Sequence, residues 1–143
     1  MKSSNKFHLE DINELKNTVL TGRSGDIKWR IQNINIVSKL LDENKKEIIK
    51  SLFVDLGKSE IEGLSEILLV KEEISLIKKK LNSWMRPKKI GTPFYLFPSS
   101  SKVIYEPLGC VLILGPYNYP LLYILKPLVN ICLLYTSPSP RDS

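Results

Sequence analysis

A chain of 143 residues, 43% apolar and 25% charged, has room for one globular domain at most and is too apolar for a disordered tether. Its net charge is +6, but the lysines are mixed with Asp and Glu, and Lys78-Lys79-Lys80 with Lys88 and Lys89 reads as a solvated helix face and loop; a nucleic-acid partner is not expected. One histidine, His8, and two cysteines, Cys110 and Cys132, exclude a metal centre or a Ser-His-Asp triad built within this chain and form no disulfide framework.

The N-terminus carries no long apolar stretch, so the expected compartment is cytoplasmic. Ile12, Leu15 and Val19 recur at helical spacing and predict a short helix over Leu9–Leu20, ended by Thr21-Gly22-Arg23-Ser24-Gly25. One long amphipathic helix is predicted over Asp26–Leu56, with Ile27, Ile31, Ile34, Val37, Leu41, Ile48, Leu52 and Leu56 on its apolar face. Gly57 is its stop, because glycine takes the left-handed conformation cheaply. Ser59 and Glu62 have capping-box spacing and open a third helix, whose expected apolar face is Ile61, Leu64, Leu68, Ile74, Ile77 and Leu81. Pro87 closes it. The two long helices would pair as an antiparallel hairpin.

Beyond Pro87 the pattern changes. Pro93, Pro98 and Ser99–Ser101 mark a loop. Lys102–Glu106 is strand-like by its β-branched and aromatic content. Cys110–Leu114 is a continuous apolar run of the kind that suits a parallel strand buried on both faces. Gly115–Pro120 ends it in a rigid turn, and Leu121–Val129 is predicted as the following helix, with Pro120 in its first turn and a kink at Pro127. Helical hairpin, strand, turn and helix together read as an α/β fold. Ligands of such folds bind at the carboxyl ends of the strands, the place that residues 115–118 occupy. A membrane span over residues 108–135 is disfavoured by Gly115, Pro116, Asn118, Pro120, Lys126 and Pro127.

Asn118 is the one side chain here suited to chemistry. Its amide N–H groups, held rigidly at a strand end, could donate to a developing oxyanion. On spacing alone, a turn residue or helix cap is the better explanation. A non-enzymatic helical interaction module, with membrane association through residues 108–135 as one form of it, stays open beside the enzyme reading.

The run Glu106-Pro107-Leu108-Gly109-Cys110-Val111-Leu112-Ile113-Leu114-Gly115-Pro116-Tyr117-Asn118-Tyr119-Pro120 resembles the E-P-L-G-V-V-x-x-I-x-x-W-N-Y-P signature of the aldehyde dehydrogenase superfamily. Its nearest resemblance is to the class 3 and fatty aldehyde dehydrogenase branch. Arg30, Asp55-Leu56-Gly57-Lys58 and Glu72-Glu73-Ile74 resemble further positions of that branch. Cys110 replaces the usual Val and Tyr117 the usual Trp; both are mild changes, and Cys110 reads as a core residue.

The resemblance implies an enzyme that oxidises aldehydes to carboxylic acids with NAD or NADP, through attack of a cysteine thiolate, transfer of hydride to the cofactor and hydrolysis of a thioester. It implies that Asn118 is the oxyanion-hole donor and that Leu114, Pro116 and Tyr117 line the nicotinamide end of a Rossmann-like cofactor cleft. It also implies a homodimeric parent. Three regions are expected: 1–101, the N-terminal helical segment of the cofactor-binding domain; 102–130, the start of the NAD(P)-binding α/β domain; and 131–143, a tail outside the family pattern that resembles translated cloning sequence. The family's nucleophile, base and cofactor-binding lysine come after the part matched here. Cys132 does not stand in the nucleophile's context, and the chain is therefore expected to be an N-terminal fragment, inactive alone.

Overall fold

The computed structural model describes residues 9–105 and 111–131. It contains α1 (Leu9–Leu20), α2 (Ile27–Glu43), α3 (Lys45–Leu56), α4 (Glu60–Trp84), β1 (Lys88–Ile90), β2 (Ser101–Val103) and α5 (Pro120–Ile131), with short 3-10 turns at Arg23–Gly25 and Phe94–Leu96. His8, the Glu106–Cys110 part of the signature, Cys132 and nearly all of the expected tail lie outside the described residues.

The predicted helix over Asp26–Leu56 is two helices. Asp26 caps α2, its side chain accepting from the Lys28 N–H at 2.9 Å. Asn44 divides α2 from α3 with φ −103° and ψ 12°. Its side-chain amide donates to the Leu40 carbonyl, which also accepts the Asn44 backbone N–H. Asparagine offers the backbone this local alternative to regular helix, a competition that apolar periodicity does not register. Gly57 ends α3 at φ 66°, with its N–H donating to the Phe53 carbonyl at 2.9 Å. The Ser59–Glu62 capping box then opens α4 in both directions: the hydroxyl accepts the Glu62 N–H, and the Glu62 carboxylate accepts the Ser59 N–H.

The helices α2 and α3 pack along α4 as the expected hairpin, and α5 lies on α4 as well. The core joins Ile34 and Leu41 of α2, Ile67, Val70, Ile74, Ile77 and Leu81 of α4, and Val129 of α5. Each such side chain removed from water contributes about 1.5–3 kcal/mol. The predicted face of α4 needs correction. Ile61 and Leu68 are exposed, while Gly63, Glu66, Ile67 and Val70 are buried. Leu68 and Ile74 stand six positions apart, which at about 3.6 residues per turn puts them on different sides of the helix. The chain carries two apolar stripes here, and the one through Val70 and Ile74 joins the core that α2 and α5 share.

The strand expected at Lys102–Glu106 is the shorter β2. Its partner β1, in a segment with no visible strand pattern, pairs antiparallel with Lys88 opposite Val103 and Ile90 opposite Ser101. Residues 111–114 correct the prediction of a buried strand: they belong to no sheet, and Val111, Leu112 and Leu114 are 50%, 75% and 85% exposed. A parallel strand closes its backbone hydrogen bonds on neighbours, and the only sheet among the described residues is the β1–β2 hairpin. The helix predicted after the turn is present as α5, with Pro120 at its first position and Pro127 inside it.

Candidate active site

The turn that carries Asn118 sits on the elbow between α3 and α4. A shallow cavity of about 350 Å³ between them is lined by Leu56, Gly57, Lys58 and Glu62 from the elbow and by Tyr117, Asn118 and Tyr119 from the turn. Two segments some sixty residues apart are thus brought face to face. The left-handed Gly57 and the capping box at Ser59 give the elbow its shape, so local sequence determines one wall of this cavity.

The link beneath it is ionic. Glu66 is fully buried on α4. Its Oε2 accepts the backbone N–H of Leu122 at 3.0 Å, and its Oε1 pairs with Nζ of Lys58. Leu122 is in the first turn of α5, where backbone N–H groups lack intrahelical acceptors and the helix dipole favours an anion. The Lys58 ammonium also lies 3.7 Å from the centroid of the Tyr119 ring, at cation–π range. Tyr119 meets Tyr123 edge to face, with centroids 6.1 Å apart. A second tie closes the far end of α5: Glu73 accepts from the Asn130 side-chain amide and pairs with Lys126, both at 3.1 Å.

Gly115 is packed for a different reason. A Cβ there would stand 2.6 Å from Cγ1 of Ile124, so any larger residue would have to displace that side chain of α5. One carboxylate at this site is stabilised in its charged form. Hydrogen bonds from the Ser59 N–H and hydroxyl hold Glu62 below its ordinary value against the opposing effect of burial, with the charge of Lys58 adding the smallest contribution.

Leu114, Pro116, Tyr117 and Asn118 form a continuous exposed strip. Leu114 and Tyr117 are each more than four-fifths exposed. The structure brings Tyr117 and Asn118 to the elbow cavity; Leu114 and Pro116 are not among the residues that line it. Sequence reasoning passed over Glu66. Its signal was there: it occupies the buried stripe of α4 four positions before Val70, and a carboxylate at a core position requires partners. Among the described residues no group of His, Cys, Asp and Glu could hold a metal ion, and no helix is long and apolar enough to cross a membrane.

The family model described as the aldehyde dehydrogenase family matches residues 21–134. The chain belongs to the aldehyde dehydrogenase family. It is 35% identical over 120 residues to the chloroplastic aldehyde dehydrogenase family 3 member I1 of Arabidopsis thaliana, a match covering 83% of this chain and 22% of that protein. It is 36% identical over 111 residues to 4,4'-diaponeurosporen-aldehyde dehydrogenase of Staphylococcus aureus, covering 77% of this chain and 24% of that protein. Mouse aldehyde dehydrogenase family 3 member B3 matches at 35% over 122 residues, 85% of this chain and 26% of that protein. Among solved structures, the substrate-bound state of Staphylococcus aureus AldH superposes with a TM-score of 0.82 at 31% identity, covering 90% of this chain and 28% of that one. The chain spans about a quarter of the length of these aldehyde dehydrogenases, and class 3 members recur among them, as the signature at Glu106–Pro120 implied.

Proposed function

We propose that this chain is the N-terminal segment of an NAD(P)-dependent aldehyde dehydrogenase and that it supplies the enzyme's oxyanion donor, Asn118. The observation that supports the reading is the placement of Asn118: it follows an exposed strip, precedes the Pro120 start of α5, and lines the cavity at the α3–α4 elbow. When a thiolate from elsewhere in the enzyme adds to an aldehyde, the carbonyl electron pair moves to oxygen, and the Asn118 amide donates to that oxygen. A neutral, preorganised donor stabilises the addition without having to lose or gain a proton.

Leu114, Pro116 and Tyr117 suit the nicotinamide end of a Rossmann-like cofactor cleft, since they present exposed apolar and aromatic surface beside Asn118. NAD or NADP, when bound, supplies the two-electron acceptor of the oxidation. The regional division into a helical segment over 1–101, the start of the α/β domain over 102–130 and a non-family tail over 131–143 goes with this reading. So does a homodimer, supported by apolar residues left exposed, Phe53, Ile61 and Leu68 among them. A cytoplasmic compartment is supported by composition alone, two cysteines without a disulfide framework.

The test is Asn118→Ala in the complete enzyme that contains this segment. Loss of an oxyanion donor is expected to lower kcat by about 10²–10³. A variant that oxidises aldehydes at the parent rate would overturn the assignment.

A further inference from the structure

Glu66 is an expensive way to fill a core position. An apolar residue of similar size would pack there without desolvating a charge, and replacing buried ion pairs by hydrophobic residues is often neutral or stabilising. What the carboxylate does that an apolar side chain cannot is hold two groups at once. One is the backbone N–H of Leu122, which anchors the first turn of α5. The other is Lys58, whose ammonium lies over the ring of Tyr119, the residue next to Asn118. Both contacts therefore end on the few residues that follow Asn118. Neither reaches the turn through the chain's own local geometry, because Glu66 and Leu122 are 56 positions apart.

We infer that Glu66 and Lys58 are positioning residues for Asn118, a buried ionic latch between α4 and the start of α5 that sets the direction in which the Asn118 amide is presented. The inference rests on the oxyanion reading of Asn118 and adds to it the residues that aim the donor. Orientation matters in this chemistry because a donor must meet the developing oxyanion at hydrogen-bond distance, and a small misplacement by a remote change is enough to reduce rate. Lys58 is the adjustable part of the latch, since its ammonium is shared between the carboxylate and the aromatic face. Glu66 is the fixed part, buried completely with both oxygens engaged.

The experiment is a double-mutant cycle in the complete enzyme. Glu66→Gln keeps an oxygen for the Leu122 N–H and removes the anion that holds Lys58. It is expected to lower kcat about tenfold while KM for aldehyde and dinucleotide stays within about twofold. In the Asn118→Ala background the same change is expected to cost nothing further, because a residue that acts through Asn118 has no effect once that amide is gone. Tyr119→Leu keeps the buried pair and removes the ring; it is expected to lower kcat about threefold, with Tyr119→Phe recovering rate because the aromatic face is restored. It also serves if Glu66→Gln fails to fold. Multiplicative losses in the double mutant, or a full-rate Tyr119→Leu, would overturn the latch while leaving the oxyanion assignment intact. An Asn118→Ala enzyme of undiminished kcat would overturn both.

Discussion

The helical core and the strip from Val111 to Leu114 are both apolar, yet they end in opposite environments. Val70 and Ile77 on α4 are inaccessible to solvent, whereas Leu112 and Leu114 are 75% and 85% exposed. Both segments had sufficient apolar character to be buried. The difference is where the backbone finds its hydrogen bonds. A helix closes them within its own segment, so α4 needs only a neighbour for its apolar stripe. A strand must find them on another strand, and the sheet that would receive residues 111–114 is not among the described residues. An apolar run alone is therefore insufficient evidence of a buried strand.

Ile77→Ala leaves a cavity in the α4 core and is expected to destabilise the 143-residue chain by about 2–5 kcal/mol, read by denaturant titration. A loss below half of that would mean the core is loosely packed and the contrast with the strip is overstated. Glu66→Ala is expected to cost about 3 kcal/mol in the same assay, because it strands a largely buried Lys58 and the Leu122 N–H; a neutral result would show that the α4–α5 contact is held by apolar packing alone.

Smaller effects sharpen the role of local signals. Gly57→Ala puts a Cβ on a left-handed residue in otherwise open space, so backbone strain alone should cost about 1 kcal/mol. Ser59→Ala removes one half of the capping box and should cost about 1 kcal/mol. Protonation adds a pH signature there. Glu62 is held below its ordinary value in the folded chain, so its contribution to stability is present above the unfolded-state value and is lost as pH falls through the depressed one. Stability of Glu62→Gln should accordingly depend less on pH across that acidic window, which a series of melts would register. At the bottom of the scale, Leu114→Ala should change stability by no more than about 0.5 kcal/mol. A large loss there would mean that the strip is packed after all.

The capping box, the left-handed Gly57 and the start of α5 at Pro120 were legible because each is a short-range signal with one physical solution. The break at Asn44 was not, since its cause is a side chain competing with its own backbone. The strand β1 was missed because Lys88–Ile90 has no alternating pattern and is defined only by its pairing with β2. The face of α4 is half legible: Ile74, Ile77 and Leu81 are buried as their spacing predicts, whereas Ile61 and Leu68 are exposed, because two apolar stripes compete and the packing of the neighbouring helices chooses between them.

The candidate site divides in the same way. Asn118, the strip beside it and the family signature are contiguous residues within Glu106–Pro120, readable without a fold. The support beneath them is not contiguous. Lys58, Glu66, Tyr119 and Leu122 meet because α4 and α5 pack together, and a buried carboxylate acquires its partners from that packing. Sequence by itself determined the elements whose hydrogen bonds close locally, and the residues offered for chemistry. Tertiary structure decided which apolar face is covered, which carboxylate is buried, and which side chains meet beneath the Asn118 turn, because those are long-range contacts that no local pattern encodes.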